Sequence, residues 1–279
     1  MSDGHRGSIR ELRSRARADL AAGGIERPGA EARWMVEQAR GDAPAAAGRV
    51  REMVARRLSG EPLQYVLGEW SFCGIDVAVD SRVLAPRPET EITASVAIEE
   101  AAEVGGSPIV DLGTGSGVLA LALASALPDA EVWATDHSAD ALRVAAANRS
   151  SAGRFADRIH LSQGDWFDAL PEELRGQVRL VVSNPPYVSE AEHSVLPDEV
   201  REHEPRGALV AGPTGLETIE HIVREAPSWL APGGRLVVEH APHQAERVLA
   251  RARAAGFDAA EVQTDLAGRD RVLVARLAG

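Results

Sequence analysis

The chain contains no lysine, and arginine supplies all 30 of its basic side chains. We interpret this as a compositional bias without functional meaning. There is a single cysteine, Cys73, which excludes an internal disulfide and a metal site built from several cysteines. His240 and His243 are three residues apart, but Pro242 between them predicts a loop, so no metal site is expected there.

Long apolar runs are also missing. No stretch reaches the roughly eighteen apolar residues that a transmembrane helix requires, and the N-terminus has no apolar signal region. These absences predict a cytoplasmic protein that does not act at a membrane. At 279 residues with 44% hydrophobic content, the chain can bury the core of one large domain or two modest ones.

Charge is spread unevenly along the chain. The first sixty residues hold 12 arginines and 8 acids, a net charge of +4, whereas the whole chain has a formal charge of −12. The remainder therefore carries −16, and this contrast predicts two domains. An acidic region repels phosphate, which argues against a direct nucleic-acid partner.

The segment Asn184-Pro185-Pro186-Tyr187 follows the apolar run 178–182, which predicts a buried strand. Neither proline can donate a backbone hydrogen bond, and each restricts the residue before it, so the segment is stiff and rich in acceptors. The Asn184 side-chain carbonyl and the Pro185 backbone carbonyl can accept both hydrogens of a planar amino group, with Tyr187 stacked on its face. The alternative is a Pro-Pro turn that merely ends the strand.

A glycine-rich turn lies further upstream, between the apolar strand 108–112 and the uncharged, helix-like run 118–127. Alternate glycines let the backbone turn tightly and approach a ligand closely. Their spacing behind Asp111 differs from the usual dinucleotide pattern and is typical of loops that bind S-adenosylmethionine. The predicted cofactor-binding residues of this loop are Gly113, Thr114, Gly115, Ser116 and Gly117.

Two further strand ends carry candidate cofactor residues. Asp136 ends the strand 131–135, about twenty residues past the glycine loop, where a carboxylate can accept from ribose hydroxyls. It could instead cap the helix that follows. Asp165 and Trp166 follow the strand 158–162, and a carboxylate and an indole can hold the edge and face of a purine. Trp166 could equally be core packing.

These predicted strands indicate an α/β fold with a doubly wound, largely parallel sheet, because ligands bind at the carboxyl ends of such strands. A turn at 232–234, a fifth strand at 235–239 and a closing pair at 257–263 and 271–276 bring the total to about seven strands.

The N-terminal region reads as a small helical domain, since Ile9, Leu12, Ala16 and Leu20 recur near helical spacing before a Gly-Gly stop. We place this domain at residues 1–63, a β-hairpin linker at 64–86 and the catalytic domain at 87–279. The helical domain could bind a protein substrate or simply cap the sheet. The segment 87–91 opens a helix with acids in its first turn, or it borders the cofactor pocket.

Taken together, the chain resembles the class I methyltransferases, and among them the family that methylates a glutamine of peptide chain release factors (HemK/PrmC-like). The resemblance covers nearly the whole chain and rests on the segments 60–68, 86–91, 111–117, 184–187, 203–206 and 268–271. One departure is Glu239-His240-Ala241, where a glycine is expected after a smaller apolar residue.

The resemblance implies a seven-stranded Rossmann-like sheet and transfer of a methyl group from S-adenosylmethionine to the glutamine of the release factor Gly-Gly-Gln motif. It implies that Gly113 to Gly117, Asp136, Trp166 and Asn184 contact the cofactor. It also implies that Asn184, Pro185, Pro186 and Tyr187 hold the glutamine, with Asn184, Pro185 and Tyr187 catalytic. Release factors are the expected partners, and the protein is expected to be a monomer.

Other functions remain open from sequence. A ribosomal-protein glutamine methyltransferase would use the same chemistry, and a DNA or RNA methyltransferase can use the same tetrapeptide on an exocyclic amine. A third possibility is a protein that binds S-adenosylmethionine without transferring its methyl group. A nicotinamide-dependent dehydrogenase is disfavoured, because no acid or base pair for hydride chemistry accompanies the glycine loop.

Overall fold

A computed structural model describes residues 3–39 and 43–279 of the chain. The chain divides into two compact units. The first comprises Met1–Trp70 together with Pro197–His203, and the second comprises Ser71–Leu196 and Glu204–Gly279. The first unit thus extends past residue 63, the predicted end of the helical domain, and includes a segment from much later in the chain.

The first unit is helical. Its core contains Leu20 and Met35, both fully buried, and Val50, which is 1% exposed. These side chains come from three successive helices. Of the stripe that predicted the first helix, Ala16 and Leu20 are buried, whereas Ile9 is exposed. Along the chain up to Leu67, the described helices are α1 (Asp3–Ala22), α2 (Pro28–Gln38), α3 (Ala43–Leu58) and α4 (Leu63–Leu67).

Arg57, near the end of α3, joins three parts of this unit. Its Nε lies 3.0 Å from Glu31 Oε2 on α2, and its Nη1 lies 3.0 Å from Glu199 Oε2 in the segment Pro197–His203. Only 12% of the Arg57 side chain is exposed, and a buried charge requires such partners. This arginine therefore attaches the distant segment to the helical core.

The hairpin between the two predicted domains is shorter than the linker predicted at 64–86. Strands β1 (Glu69–Phe72) and β2 (Ile75–Ala78) pair through a turn in which Cys73 and Gly74 have φ of 48° and 76°, as hairpin turns of type I′ require. Residues 64–67 were predicted as part of this hairpin, but they belong to α4. Leu63 and Val66 have helical spacing and are buried, so tertiary packing determines the local structure.

Seven strands of the described chain form the main sheet, in the order β10-β11-β9-β6-β3-β4-β5. All neighbours are parallel except at β11, which is antiparallel to both β9 and β10. The strands of the second unit beyond β2 are β3 (Ile109–Leu112), β4 (Val132–Asp136), β5 (Ile159–Gln163), β6 (Val178–Ser183), β7 (Val188–Ser189), β8 (Val210–Gly212), β9 (Leu230–Glu239), β10 (Ala259–Thr264) and β11 (Asp270–Arg276). The predicted α/β fold with a seven-stranded doubly wound sheet is confirmed.

Helices cover the sheet. Past Leu67 the described helices are α5 (Pro88–Val104), α6 (Val118–Ala126), α7 (Ala139–Ser151), α8 (Glu190–His193), α9 (Asp198–His203), α10 (Arg206–Leu209), α11 (Glu217–Trp229) and α12 (Ala245–Ala254), of which α9 belongs to the first unit. In the described part of the chain, no helix combines the length and apolar character needed to cross a bilayer.

The position of the functional site follows from the strand order. The chain leaves β3 towards β4 and β5 on one side and later adds β6 and β9 on the other, so the direction of winding reverses between β3 and β6. In register, Leu112 of β3 pairs with Ser183 of β6 and with Thr135 of β4. The carboxyl ends of these three strands therefore lie side by side, and a crevice forms at such a reversal.

The turn predicted at 232–234 lies within β9. Pairing with β6 moves from Val178–Leu230 to Leu180–Arg235, so several extra residues of β9 form a bulge opposite two residues of β6. Gly233 has φ of 75° in this bulge, which lets the chain turn and then resume the ladder.

Candidate functional site

A cavity of about 270 Å³ lies in the second unit at the carboxyl ends of β3, β4 and β6. Most of the predicted site residues line it, namely Gly113, Thr114, Gly115, Ser116, Asp136, Trp166, Asn184 and Pro186. Four predicted residues are outside the lining, namely Gly117, Asp165, Pro185 and Tyr187. The sheet thus brings together residues separated by about seventy positions in the chain, as the strand ends predict.

Asp111 holds the glycine loop in place from the side of the protein core. This carboxylate is fully buried, and its Oδ2 accepts from Thr114 Oγ1 at 2.6 Å and from the backbone N–H of Ala120 at 3.1 Å. Burial raises the pKa of Asp111 to about 7, and the two hydrogen bonds oppose that rise. Asp111 therefore links the loop to the first turn of α6 and does not itself face the cavity.

Two glycines of the loop need the conformational freedom that glycine has. Gly113 has φ of 70°, and a Cβ there would lie 3.2 Å from Trp166 Cζ3. Gly115 has φ of 56° and donates its backbone N–H to Asp136 Oδ2 at 2.9 Å. A side chain at Gly113 would push the indole away from the loop, so the glycine allows the aromatic ring to lie against the backbone.

Asp136 bridges the glycine loop and the segment before α7. Its Oδ1 accepts from the backbone N–H of Ser138 at 2.9 Å, while its Oδ2 accepts from Gly115. The helix cap that we considered for Asp136 is instead Ser138, whose Oγ accepts from Ala141 N at 3.2 Å. Asp136 thus remains at the cavity wall, and an aspartate there can also accept from a ligand hydroxyl.

Trp166 has φ of 46°, which is uncommon for a residue with a side chain. Trp166 lines the cavity and also packs against the buried core of the second unit, so both positions that we considered for it occur in the structure. Asp165 is exposed and lies outside the lining, so the structure does not bring its carboxylate to the same place.

Asn184 follows β6 directly. The preceding Ser183 is fully buried and donates from Oγ to the Leu112 carbonyl at 2.7 Å, which fixes the end of β6 against β3. Asn184 donates from Nδ2 to Thr90 Oγ1 at 3.0 Å. Neither Asn184 Oδ1 nor the Pro185 carbonyl accepts a hydrogen bond from any residue in the described ranges. Two neighbouring acceptors are therefore unused within the described residues; Asn184 lines the cavity, whereas Pro185 is buried directly behind it in sequence and lies outside the lining.

Tyr187 is turned towards the protein. Its hydroxyl donates to Glu239 Oε1 at 3.3 Å, and its carbonyl accepts from Gln244 Nε2 at 2.9 Å. Burial and the neighbouring Glu239 raise the pKa of the Tyr187 hydroxyl, so it stays protonated. The segment that begins at Asn184 is thereby fixed at its far end as well.

His240 and His243 serve local contacts. His240 Nδ1 lies 2.9 Å from the Ala241 carbonyl, and His243 Nε2 lies 3.3 Å from Glu192 Oε1. Among residues 3–39 and 43–279, no three His, Cys, Asp or Glu side chains converge as metal ligands would.

The sequence reasoning missed Thr90, which lines the cavity with only 2% of its surface exposed. It lies in the segment 87–91, for which we weighed a helix start against a pocket border. Arg87 precedes α5 as its N-cap and also lines the cavity, so both descriptions of this segment apply. The sequence does contain a signal for Thr90: Thr90 and Thr93 are polar residues at helical spacing on the mostly apolar face of this helix, which indicates buried hydroxyl groups.

Comparison with known proteins adds the family. The model of the methyltransferase small domain matches residues 92–201. A release factor glutamine methyltransferase from Deinococcus radiodurans is 38% identical over 284 residues, covering 97% of this chain and 99% of that protein. One from Moorella thermoacetica is 40% identical over 283 residues, covering 96% and 98%.

Among solved structures, a methyltransferase from Pyrococcus furiosus has a TM-score of 0.54 and 17% identity, over 74% of this chain and 90% of that one. That likeness concerns the fold alone. The sequence relatives, by contrast, are matched along nearly their whole length at close to 40% identity. The chain belongs to the family of the release factor glutamine methyltransferases.

Proposed function

We propose that this protein transfers a methyl group from S-adenosylmethionine to the side-chain amide nitrogen of the glutamine in the Gly-Gly-Gln motif of peptide chain release factors. The observation that carries the proposal is the pair of unused acceptors, Asn184 Oδ1 and the Pro185 carbonyl, next to a cavity at the carboxyl ends of the strands. The family membership supplies the release factor as the substrate.

The lining of the cavity fits S-adenosylmethionine. Asp136 presents a carboxylate that suits ribose hydroxyls, and Trp166 presents an aromatic face that suits a purine or a cation. The backbone around Gly113 comes close to the indole because no Cβ intervenes. When bound, S-adenosylmethionine supplies a methyl group attached to a positively charged sulfur.

An amide nitrogen is a weak nucleophile, because its lone pair is delocalised into the carbonyl group. The protein must therefore orient this nitrogen. Asn184 Oδ1 and the Pro185 carbonyl each accept one hydrogen of the substrate NH2 group, which fixes the nitrogen relative to the cavity. Both oxygens carry partial negative charge and favour the positive charge that develops on nitrogen as it reacts.

Rigidity is what makes these two acceptors effective. Pro185 and Pro186 restrict the backbone, Ser183 ties the start of the segment to β3, and Gln244 holds the Tyr187 carbonyl. Acceptors fixed before the substrate arrives lose little entropy when they bind it. Once methylated, the nitrogen is positively charged and readily releases one of its two protons, so no strong base is required by this arrangement.

The test is methyl transfer with isotopically labelled S-adenosylmethionine. Release factors, ribosomal proteins and DNA are incubated separately with the enzyme, and the modified residue is mapped by mass spectrometry. We expect label on the motif glutamine of a release factor. A release factor in which this glutamine is replaced by alanine is the matched control and should remain unlabelled.

Three outcomes would overturn the proposal. Label on a ribosomal-protein glutamine, with none on a release factor, would retain the chemistry and replace the substrate. Label on an adenine or cytosine would replace the substrate class as well. Binding of S-adenosylmethionine without transfer to any of the three would point to a noncatalytic protein.

A further inference from the structure

Glu239 is a buried carboxylate behind the candidate site. It ends β9 with 1% of its surface exposed and does not line the cavity. Its Oε2 accepts from Thr93 Oγ1 at 3.0 Å and its Oε1 from the Tyr187 hydroxyl at 3.3 Å. A buried acid needs several such donors. Burial raises the pKa of Glu239, and the hydroxyls of Thr90, Thr93 and Tyr187 oppose that rise.

Thr90 links Glu239 to Asn184. Its Oγ1 accepts from Asn184 Nδ2 at 3.0 Å, and its hydroxyl is close enough to the Glu239 carboxylate to lower the pKa of that group. A hydroxyl has one hydrogen and two lone pairs. With its hydrogen directed to the carboxylate, which is acceptor-only when ionised, Thr90 offers Asn184 only lone pairs. The asparagine must therefore turn its NH2 group towards Thr90 and its carbonyl oxygen away from it.

We propose that Thr90 and Glu239 are positioning residues that select the amide orientation of Asn184, so that its Oδ1 faces the substrate amide. The same carboxylate accepts from Tyr187, so Glu239 contacts the far end of the segment Asn184-Pro185-Pro186-Tyr187 directly and acts on its near end through Thr90. This proposal rests on the proposed function, because it assigns these residues to methylation of an amide.

Losing the fixed orientation of the Asn184 amide should slow methyl transfer, for a simple chemical reason. An Asn184 amide rotated by half a turn presents NH2 to the cavity, and the substrate amide nitrogen also carries hydrogens. Two donors facing each other repel, so the rotated form cannot orient the substrate nitrogen. An unselected amide therefore lowers the rate of methyl transfer without emptying the cofactor pocket.

Thr90→Val is the main variant, because valine keeps the shape of threonine and removes only the hydroxyl. We expect kcat for methylation of the release factor to fall at least about tenfold, with KM and the dissociation constant of S-adenosylmethionine within about twofold. Thr90→Ser restores the hydroxyl and should recover most of kcat. Ser95→Ala, which removes an exposed hydroxyl from the same helix, should match the wild type.

Thr93→Val is the control that separates loss of the Asn184 amide orientation from a general loss of stability. Thr93 is fully buried and also donates to Glu239, but it makes no hydrogen bond with Asn184. Its loss should destabilise folding about as much as the loss of the Thr90 hydroxyl. We expect its kcat to stay within about threefold of the wild type.

A spectroscopic readout tests the orientation independently of activity. The chain has only two asparagines, Asn148 and Asn184, so selective labelling of asparagine side chains with ¹⁵N gives two NH2 groups. The Asn148 NH2 donates to the carbonyls of Ala78 and Ser116 and serves as the internal reference. In Thr90→Val and Glu239→Gln, we expect the Asn184 NH2 signals to shift and exchange faster with water, while those of Asn148 stay in place.

Failure of this inference can be distinguished from failure of the proposed function. If the wild type methylates another substrate, the shift of the Asn184 signals still supports the selection by Thr90. Unchanged Asn184 signals in Thr90→Val would overturn the inference. So would a kcat in Thr90→Val equal to that of Thr93→Val, or a Thr90→Ser variant as slow as Thr90→Val.

Discussion

Replacing Asn184 with alanine removes one of the two acceptors and leaves the other, the Pro185 carbonyl, in place. The substrate NH2 group then keeps one hydrogen bond and can pivot about it. A displacement of about 1 Å in a reacting group can cost about a hundredfold in rate. We therefore expect Asn184→Ala to slow methyl transfer at least about a hundredfold, which corresponds to about 2.7 kcal/mol in the activation free energy.

The effect on folding should be much smaller. Asn184 is half-buried and makes one hydrogen bond within the protein, to Thr90. Losing a hydrogen bond of this kind typically lowers the free energy of unfolding by about 1 kcal/mol. A loss of about 1 kcal/mol lowers the folding equilibrium constant only about fivefold. The factor by which the rate falls should therefore be more than ten times the factor by which the folding equilibrium constant falls.

The assay is single-turnover methyl transfer at saturating S-adenosylmethionine and release factor, combined with urea unfolding. Gln177→Ala is the matched control, because it removes an exposed carboxamide just before β6, about 20 Å from the other end of that strand. The control should retain the wild-type rate. A rate for Asn184→Ala within about threefold of the wild type would exclude Asn184 from the chemistry.

Three further predictions concern neighbouring residues. Tyr187→Phe loses only the 3.3 Å bond to Glu239 and should slow the reaction less than about fivefold, whereas Tyr187→Ala should slow it at least tenfold; equal losses would argue that the ring does not matter. The pKa of Asp111 is raised from 3.8 to about 7, so the folded state binds its proton more tightly than the unfolded state does. The free energy of unfolding should therefore fall by about 2 to 3 kcal/mol between pH 5 and 7 in the wild type relative to Asp111→Asn, and parallel urea profiles would contradict this. Gly215 has φ of 78°, and Gly215→Ala would place a Cβ 2.7 Å from the Tyr187 carbonyl oxygen. The control is Gly74→Ala, because Gly74 has nearly the same φ, 76°, but no atom within 4 Å of the added Cβ. Gly215→Ala should destabilise the fold by at least about 2 kcal/mol more than Gly74→Ala, and equal decreases in melting temperature would refute the clash.

The central part of the fold could be predicted because β3 and β6, the neighbouring strands that end at the site, are short and mostly apolar runs. Val181 and Val182 of β6 are fully buried, and such a run does not depend on distant residues to be recognised as a strand. The glycine loop and Asn184 could be located for the same reason, since position at a strand end is a local property that places residues at one edge of the sheet.

Other features depend on partners far away in sequence. Residues 64–67 were predicted as the start of a hairpin, yet they form a helix because the helical core offers Leu63 and Val66 a place to pack. The role of Thr90 depends on Asn184, 94 positions later, and on Glu239 further still. In the sequence, Glu239 stands out only as part of a departure from the family pattern, because nothing local marks a buried carboxylate that lies among several hydroxyls.

The path of the chain through α9 limits how this protein can be dissected. Because Pro197–His203 belongs to the helical unit and is attached there through Glu199 and Arg57, no single cut separates the two units. A fragment that begins at Ser71 would retain α9 and lose Arg57, leaving Glu199 without that partner. Swapping helical units between relatives would therefore require exchanging two separate segments of the chain at once. Among relatives, substitutions near residue 57 should also covary with substitutions near residue 199.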